Sequence, residues 1–125
     1  MTRVMSGQPL RFKEDRTGDT AVVKLAGELD MPATFRIEPE LERITRDTDV
    51  GTLVLDMDDV AFMDSSGLGL LLATQQRLQA DGIRFLVANP SDSVRRVLEL
   101  THARDAVSVT PWPPGPRPEG QSRND

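Results

Sequence analysis

Apolar and polar residues alternate in two short segments near the start of the chain. The first covers residues 10–15, where Leu10 and Phe12 alternate with charged side chains, and the second covers residues 20–26. A Thr-Gly-Asp turn signal at residues 17–19 separates them. Alternation with a period of two, interrupted by turn residues, predicts two strands that pair in antiparallel fashion.

Two later segments are apolar nearly throughout. Residues 50–55 are short and rich in β-branched side chains, which is the pattern of a strand that is covered on both faces, and residues 83–88 have a similar buried character. Right-handed crossover connections between such strands make them parallel. A last, short edge strand is expected at residues 106–109.

Helical spacing of apolar residues predicts helices between the strands. The first helix is expected to begin near Pro32, directly after Asp30, and to kink or restart at Pro39. Its apolar positions form one loosely defined face: Phe35, Ile37, Leu41 and Ile44. A second helix is expected over residues 67–80. A third is expected after Asn89-Pro90, with Ser91 as its N-cap and Val94, Val97 and Leu98 along one face.

This order of elements predicts an α/β protein with a single domain. The expected architecture is a mixed sheet of four to five strands with about three to four helices packed on it. We expect residues 1–9 to be a flexible N-terminus, residues 10–109 to form the domain and residues 110–125 to be a disordered tail, since five of the nine prolines fall there. Trp112 within that tail is a candidate for docking on the body or on a partner.

Composition narrows the range of partners and chemistries. Acidic residues number 20 against 15 basic ones, for a net charge of −5, so nucleic acid is not an expected partner because phosphate backbones select clustered positive charge. Cysteine is absent, which removes thiolate chemistry and favours a cytoplasmic location. The most apolar run, residues 68–73, is far shorter than the roughly 20 residues of a membrane span, and no secretory signal is visible.

The sequence gives little support for a metal site or for catalytic residues. Four aspartates, Asp56, Asp58, Asp59 and Asp64, suggest a Mg²⁺ site, but acidic loops after strands are usually solvated, and we expect neither metal nor cofactor. His102 is the single histidine, expected to stabilise the end of the third helix. The segment around Ser65 lacks the first glycine of a nucleophile elbow. We therefore expect no enzymatic activity.

Small and hydroxyl-bearing residues gather where the second helix begins. Asp64, Ser65 and Ser66 are followed by Gly67 and Gly69, at the carboxyl end of a strand, where functional groups collect in open α/β sheets. Glycine inside a helix costs about 1 kcal/mol relative to alanine, so the presence of two glycines at the start of this helix (the helix mouth, residues 64–69) calls for an explanation. Their bare backbone would let the main chain of a partner approach closely.

Two interpretations of this segment follow from the residues alone. In the first, Ser66 is an N-cap and the glycines let the helix pack tightly on the sheet. In the second, one serine is a phosphorylation site, where about −1.5 to −2 units of added charge would change the surface. If Ser66 caps the helix, its oxygen is engaged with a backbone N–H, which leaves Ser65 as the freer acceptor.

Two motifs carry a resemblance to a known family. Residues 62–69, FMDSSGLG, together with GELD at residues 27–30 about 35 residues earlier, closely resemble the STAS-domain anti-anti-sigma factors, which antagonise bacterial anti-sigma factors. Motif order and spacing match over residues 10–109. The resemblance implies a STAS-like fold.

The resemblance also implies a function and a site. In that family the serine directly after the aspartate, here Ser65, is phosphorylated by the anti-sigma factor, an ATP-dependent serine kinase, and a serine phosphatase reverses the modification. The dephosphorylated form binds its partner and frees the sigma factor. The residues implied to form the partner-facing surface are Asp30, Asp64, Ser66, Gly67, Leu68 and Gly69. An alternative stays open: a STAS-type module that binds a nucleotide or small ligand, or an accessory signalling or transport subunit, with the helix mouth as an anion site.

Overall fold

The computed structural model describes residues 8–112. Along this part of the chain the elements follow in the order β1 (Arg11–Thr17), β2 (Thr20–Leu29), α1 (Met31–Thr45), β3 (Thr52–Met63), α2 (Ser65–Ala80), β4 (Arg84–Ala88), α3 (Asp92–Leu100) and β5 (Val109–Thr110). A short 3₁₀ turn, Arg104–Ala106, precedes β5. The expected last strand at residues 106–109 was therefore placed too early.

The five strands form one sheet in the order β1-β2-β3-β4-β5. β1 and β2 are antiparallel and joined by a tight hairpin, whose Gly18 has a φ of +61° that favours glycine. The remaining neighbours are parallel. The mixed sheet with three α-helices confirms the predicted fold class, the hairpin and the parallel pairing of the two apolar strands.

The central strands continue well beyond the apolar segments that predicted them. β3 runs on to Met63, so the acidic run after Leu55 lies in a strand, and the prediction of a solvated loop was wrong. Two register shifts against β2 accommodate extra residues of β3. Asp56 is only 8% exposed, and its carboxylate lies 3.9 Å from Lys24 Nζ on the neighbouring strand, which compensates its charge.

Helix α1 passes Pro39 without a break, contrary to the expected restart. Pro39 has no N–H, so the Phe35 carbonyl loses its usual donor within the helix. Both residues are exposed, so this carbonyl lies on the solvent side of the helix. Phe35 was also wrongly assigned to the core face, since it is 69% exposed. The buried apolar face consists of Ala33, Ile37, Leu41 and Ile44.

The helix starts follow ordinary capping chemistry, and the ends of the domain are held by neighbouring strands. Ser91 caps α3 by accepting a hydrogen bond from the Val94 N–H at 3.3 Å, as predicted. Gln8 accepts a hydrogen bond from the Glu28 N–H at 3.0 Å. At the other end, Thr110 of β5 pairs with Ala88 of β4, and both backbone groups of Trp112 bond to the Asn89 side chain.

Residues 110–112, which the sequence assigned to the tail, are thus attached to the body. The rest of the expected tail, residues 113–125, and residues 1–7 of the expected flexible N-terminus lie outside the described residues. Within residues 8–112, no helix combines the length and the apolar character needed to cross a membrane.

Candidate functional site at the start of the second helix

The starts of α1 and α2 lie side by side at one edge of the sheet. β2 and β3 are parallel, and their last paired residues are Leu29 and Met63. The next residue on each strand is an aspartate, and the Asp64 N–H lies 3.5 Å from the Leu29 carbonyl oxygen. The predicted neighbourhood of Asp30 and Asp64 is therefore present in the fold, because the two helices leave adjacent strands at the same level.

Both aspartates are N-caps. Asp30 Oδ1 accepts a hydrogen bond from the Ala33 N–H at 3.1 Å. Asp64 Oδ1 accepts two, from the N–H groups of Ser66 at 2.9 Å and Gly67 at 3.3 Å. Each carboxylate thus satisfies backbone donors at the positive end of a helix dipole.

The expected capping role of Ser66 was wrong. Helix α2 begins at Ser65, two residues before the expected start at residue 67, and the cap is Asp64. The charged carboxylate reaches two N–H groups at once and accepts stronger hydrogen bonds than a neutral hydroxyl. Ser66 consequently lies inside the first turn, where a side chain cannot act as the cap.

Exposure now distinguishes the two serines. Ser65 is the first helical residue and is exposed, whereas Ser66 is half-buried. Within the described residues, neither hydroxyl forms a hydrogen bond with a protein group. The accessibility of Ser65 therefore replaces the capping argument as the reason to prefer it as the phosphate acceptor.

The two glycines of the helix mouth have different environments. A Cβ on Gly67 would lie 2.4 Å from Met63 Cγ and 3.1 Å from the Leu29 side chain, so this buried glycine lets the helix pack tightly on the strands. At Gly69 a Cβ would meet nothing within 4 Å. The packing interpretation fits Gly67, whose burial gives it no exposed surface for a partner, and the bare-surface interpretation fits Gly69.

The chemistry of the site is that of an acceptor. Within residues 8–112, no imidazole, amine or carboxylate is hydrogen-bonded to the Ser65 hydroxyl, so the chain provides no general base that would activate it as a nucleophile. The same part of the chain contains no group of three or more histidine, aspartate or glutamate residues arranged to hold a metal ion. The exposed hydroxyl is suited to receive a group from an external enzyme.

Sequence reasoning missed two residues beside this site. Met31 is the first residue of α1 and is 55% exposed, and Phe35 lies one turn later on the same side of the helix. Their spacing of four residues places them together. The signal in the sequence was that Phe35 fits poorly with the spacing of Ile37, Leu41 and Ile44.

Comparison with known proteins identifies the class of domain. A family model of the STAS domain matches residues 12–112. This chain belongs to the STAS domain family, which confirms the resemblance found in the two motifs.

Individual relatives carry more specific names. The chain is 34% identical over 96 residues to an anti-sigma F factor antagonist of Lysinibacillus sphaericus, covering 77% of each protein. It is similar in structure to the anti-sigma factor antagonist SpoIIAA in its unphosphorylated form, with a TM-score of 0.69 and 30% identity over 82% of this chain and 90% of that one. It is also similar to the phosphorylated form of SpoIIAA from Bacillus, with a TM-score of 0.64 and 29% identity over 82% and 93% of the two chains.

Proposed function

We propose that this protein is an anti-sigma factor antagonist that is switched by phosphorylation of Ser65. The unmodified form binds an anti-sigma factor and thereby frees a sigma factor, and the phosphorylated form does not bind. The observation that carries the proposal is the exposed Ser65 hydroxyl at the start of α2. Its position directly after the Asp64 cap, in a chain similar to named antagonists, supports the same role.

The modification is a phosphoryl transfer in which the partner is the enzyme. Ser65 Oγ attacks the γ-phosphorus of ATP bound to the anti-sigma factor, the new O–P bond forms as the bond to the β-phosphate oxygen breaks, and ADP leaves. The hydroxyl proton passes to a base of the kinase, because residues 8–112 present no base hydrogen-bonded to Ser65. A serine phosphatase hydrolyses the ester and restores the hydroxyl. The antagonist itself is non-catalytic in this scheme.

The charge added to Ser65 explains how binding would be lost. The phosphate would stand beside the carboxylates of Asp30 and Asp64, and all three anionic groups would have to lose water to enter an interface. Such desolvation and repulsion cost several kcal/mol, and about 4 kcal/mol corresponds to a 10³-fold change in affinity. In the free protein the N-terminus of α2 stabilises the phosphate, so the fold itself tolerates the modification.

The partner surface follows from exposure around Ser65. We infer that the exposed Gly69 and the half-buried Asp30, Asp64, Ser66 and Leu68 contact the anti-sigma factor. Gly67 supports them from below by its packing on Met63. Sigma factors act on RNA polymerase, so the proposal places the protein in the cytoplasm.

A phosphotransfer assay tests the function and the acceptor together. Wild type, Ser65→Ala and Ser66→Ala are incubated with ATP and the anti-sigma factor kinase of the same genome, and the intact mass is measured. We expect a gain of one phosphate in wild type and Ser66→Ala and none in Ser65→Ala. Binding to the ADP-bound kinase should be retained by Ser65→Ala and weakened by Ser65→Asp. Saturable nucleotide binding to this chain without transfer would favour the ligand-binding alternative.

A further inference from the structure

An apolar strip lies on the solvent side of helix α1. Met31 is 55% exposed and Phe35 is 69% exposed, although both are large hydrophobic residues. Their spacing of four residues puts them on one face. The opposite face, which includes Ile37 and Leu41, is buried, so the strip adds nothing to the core.

The register of the sheet places this strip beside the candidate phosphorylation site. Leu29 of β2 is paired with Met63 of β3, and each strand continues through one aspartate into its helix. Met31 and Ser65 are the first residues of the two helices and stand at the same level. Phe35 lies one helical turn, about 5.4 Å, further along α1.

A protein bound over Ser65 would extend over both side chains. A standard interface buries about 800 Å² on each partner, which corresponds to a disc roughly 16 Å in radius. Helices α1 and α2 are in contact, and packed helices lie about 8–10 Å apart, so we expect Met31 and Phe35 to fall inside such a disc centred on Ser65. The few residues that contribute most to affinity also tend to cluster near the centre of an interface, in well-packed positions.

We propose that Met31 and Phe35 form a docking surface for an apolar patch on the anti-sigma factor kinase. The inference rests on the proposed function, because the occupant is the kinase that must reach Ser65. The two side chains act in binding and take no part in phosphoryl transfer. They hold the partner in the unphosphorylated state and position Ser65 at its active site.

The chain provides a matched control for the test. Leu100 is 73% exposed, and it is the last residue of α3. Near the start of that helix, the Ser93 hydroxyl donates a hydrogen bond to the Ala61 carbonyl of β3 at 2.9 Å. Leu100 lies seven residues, about 10 Å, further along α3. Its exposed fraction is close to the 69% of Phe35, so the change to serine removes a similar, slightly smaller apolar surface, but away from the starts of α1 and α2.

The experiment compares Met31→Ser, Phe35→Ser and Leu100→Ser by calorimetric titration against the ADP-bound anti-sigma factor kinase. We expect Kd to rise about 10- to 30-fold for Phe35→Ser and about 10-fold for Met31→Ser, and to stay within about twofold for Leu100→Ser. With ATP, KM for phosphorylation of Phe35→Ser should rise while kcat is unchanged, because the lost contact is made equally in the bound complex and in the transition state. Thermal melts of all three variants verify that they fold.

Three contradicting results are distinguishable. If wild type binds and is phosphorylated but Met31→Ser and Phe35→Ser match it within twofold, the docking surface is refuted and the proposed function stands. If wild type neither binds nor is phosphorylated, the proposed function itself fails. A fall in kcat with an unchanged KM would contradict a docking role for Phe35.

Discussion

At the scale of single residues, the two glycines of the helix mouth differ in their surroundings, since one is packed in the core and the other faces open space. Gly67 is enclosed by Met63 and Leu29, where even one methyl group has no space. Gly69 stands two residues later with open space around the missing side chain. The fold therefore explains Gly67, whereas packing gives no reason for glycine at position 69, which is consistent with the proposed contact to a partner.

Alanine at each position separates these roles. Gly67→Ala should lower the free energy of unfolding by about 1–3 kcal/mol, the usual cost of overpacking a core. Gly69→Ala should raise it by about 0.5–1 kcal/mol, because alanine is the better helix former. Urea unfolding measures both changes, and Gly69→Ala should also weaken binding to the anti-sigma factor if the partner approaches the bare backbone. An equal loss of stability in both variants would contradict the difference in packing.

At the scale of elements, apolar patterning predicted the arrangement well and failed where charge and side-chain capping decide the boundaries. The strand at residues 50–55 was visible because it is apolar, but its continuation was hidden by Asp56, whose charge is compensated by Lys24 on another strand. The start of α2 was misplaced because Asp64 was not recognised as the cap. The first error involves a carboxylate whose partner lies on another strand, and the second involves a choice between two neighbouring residues, Asp64 and Ser66, that are both good caps.

The attachment of Trp112 could not be predicted from the apolar pattern either. It depends on the side-chain amide of Asn89, which pairs with the backbone of Trp112 as a peptide group of a neighbouring strand would. Asn89 Nδ2 donates to the Trp112 carbonyl at 2.8 Å, and Asn89 Oδ1 accepts from the Trp112 N–H at 2.9 Å. Asn89 also has a φ of +52°, which asparagine tolerates better than most residues. With only two paired positions between β4 and β5, this amide contributes much of the attachment.

Substitution of Asn89 tests this attachment. Asn89→Gly keeps the backbone conformation but removes both hydrogen bonds, so we expect faster exchange of the Trp112 amide proton and a red shift of tryptophan fluorescence. Trp112 is the single tryptophan, so the emission reports on this site alone. Asn89→Ala should lose the same bonds and about 1 kcal/mol more, because alanine resists a positive φ. Unchanged exchange in Asn89→Gly would show that Asn89 does not hold the segment.

At the scale of the whole molecule, the question is whether the proposed phosphorylation of Ser65 would act through the fold or at its surface. The chain already carries a net charge of −5, and phosphate adds about −1.5 to −2. Ser65 is exposed at a helix N-terminus, which favours an anion, and the core beneath it is closed by Gly67, Met63 and Leu29. Phosphate can therefore be added without displacing a buried group, and the chain is similar in fold to relatives in both the phosphorylated and the unphosphorylated form.

We expect phosphorylation to leave the fold intact and to change only one edge of it. Amide chemical shifts should change for residues 28–36 and 62–70, around the starts of α1 and α2, while those of α3 and β5 stay in place. The melting temperature should move by no more than a few degrees, because the favourable helix dipole and the unfavourable carboxylates of Asp30 and Asp64 act in opposite directions. Shift changes spread through α3 and β5, or a large loss of melting temperature, would mean that the switch works by conformational change. In the expected case, loss of binding comes from the charge on the surface that the partner must cover.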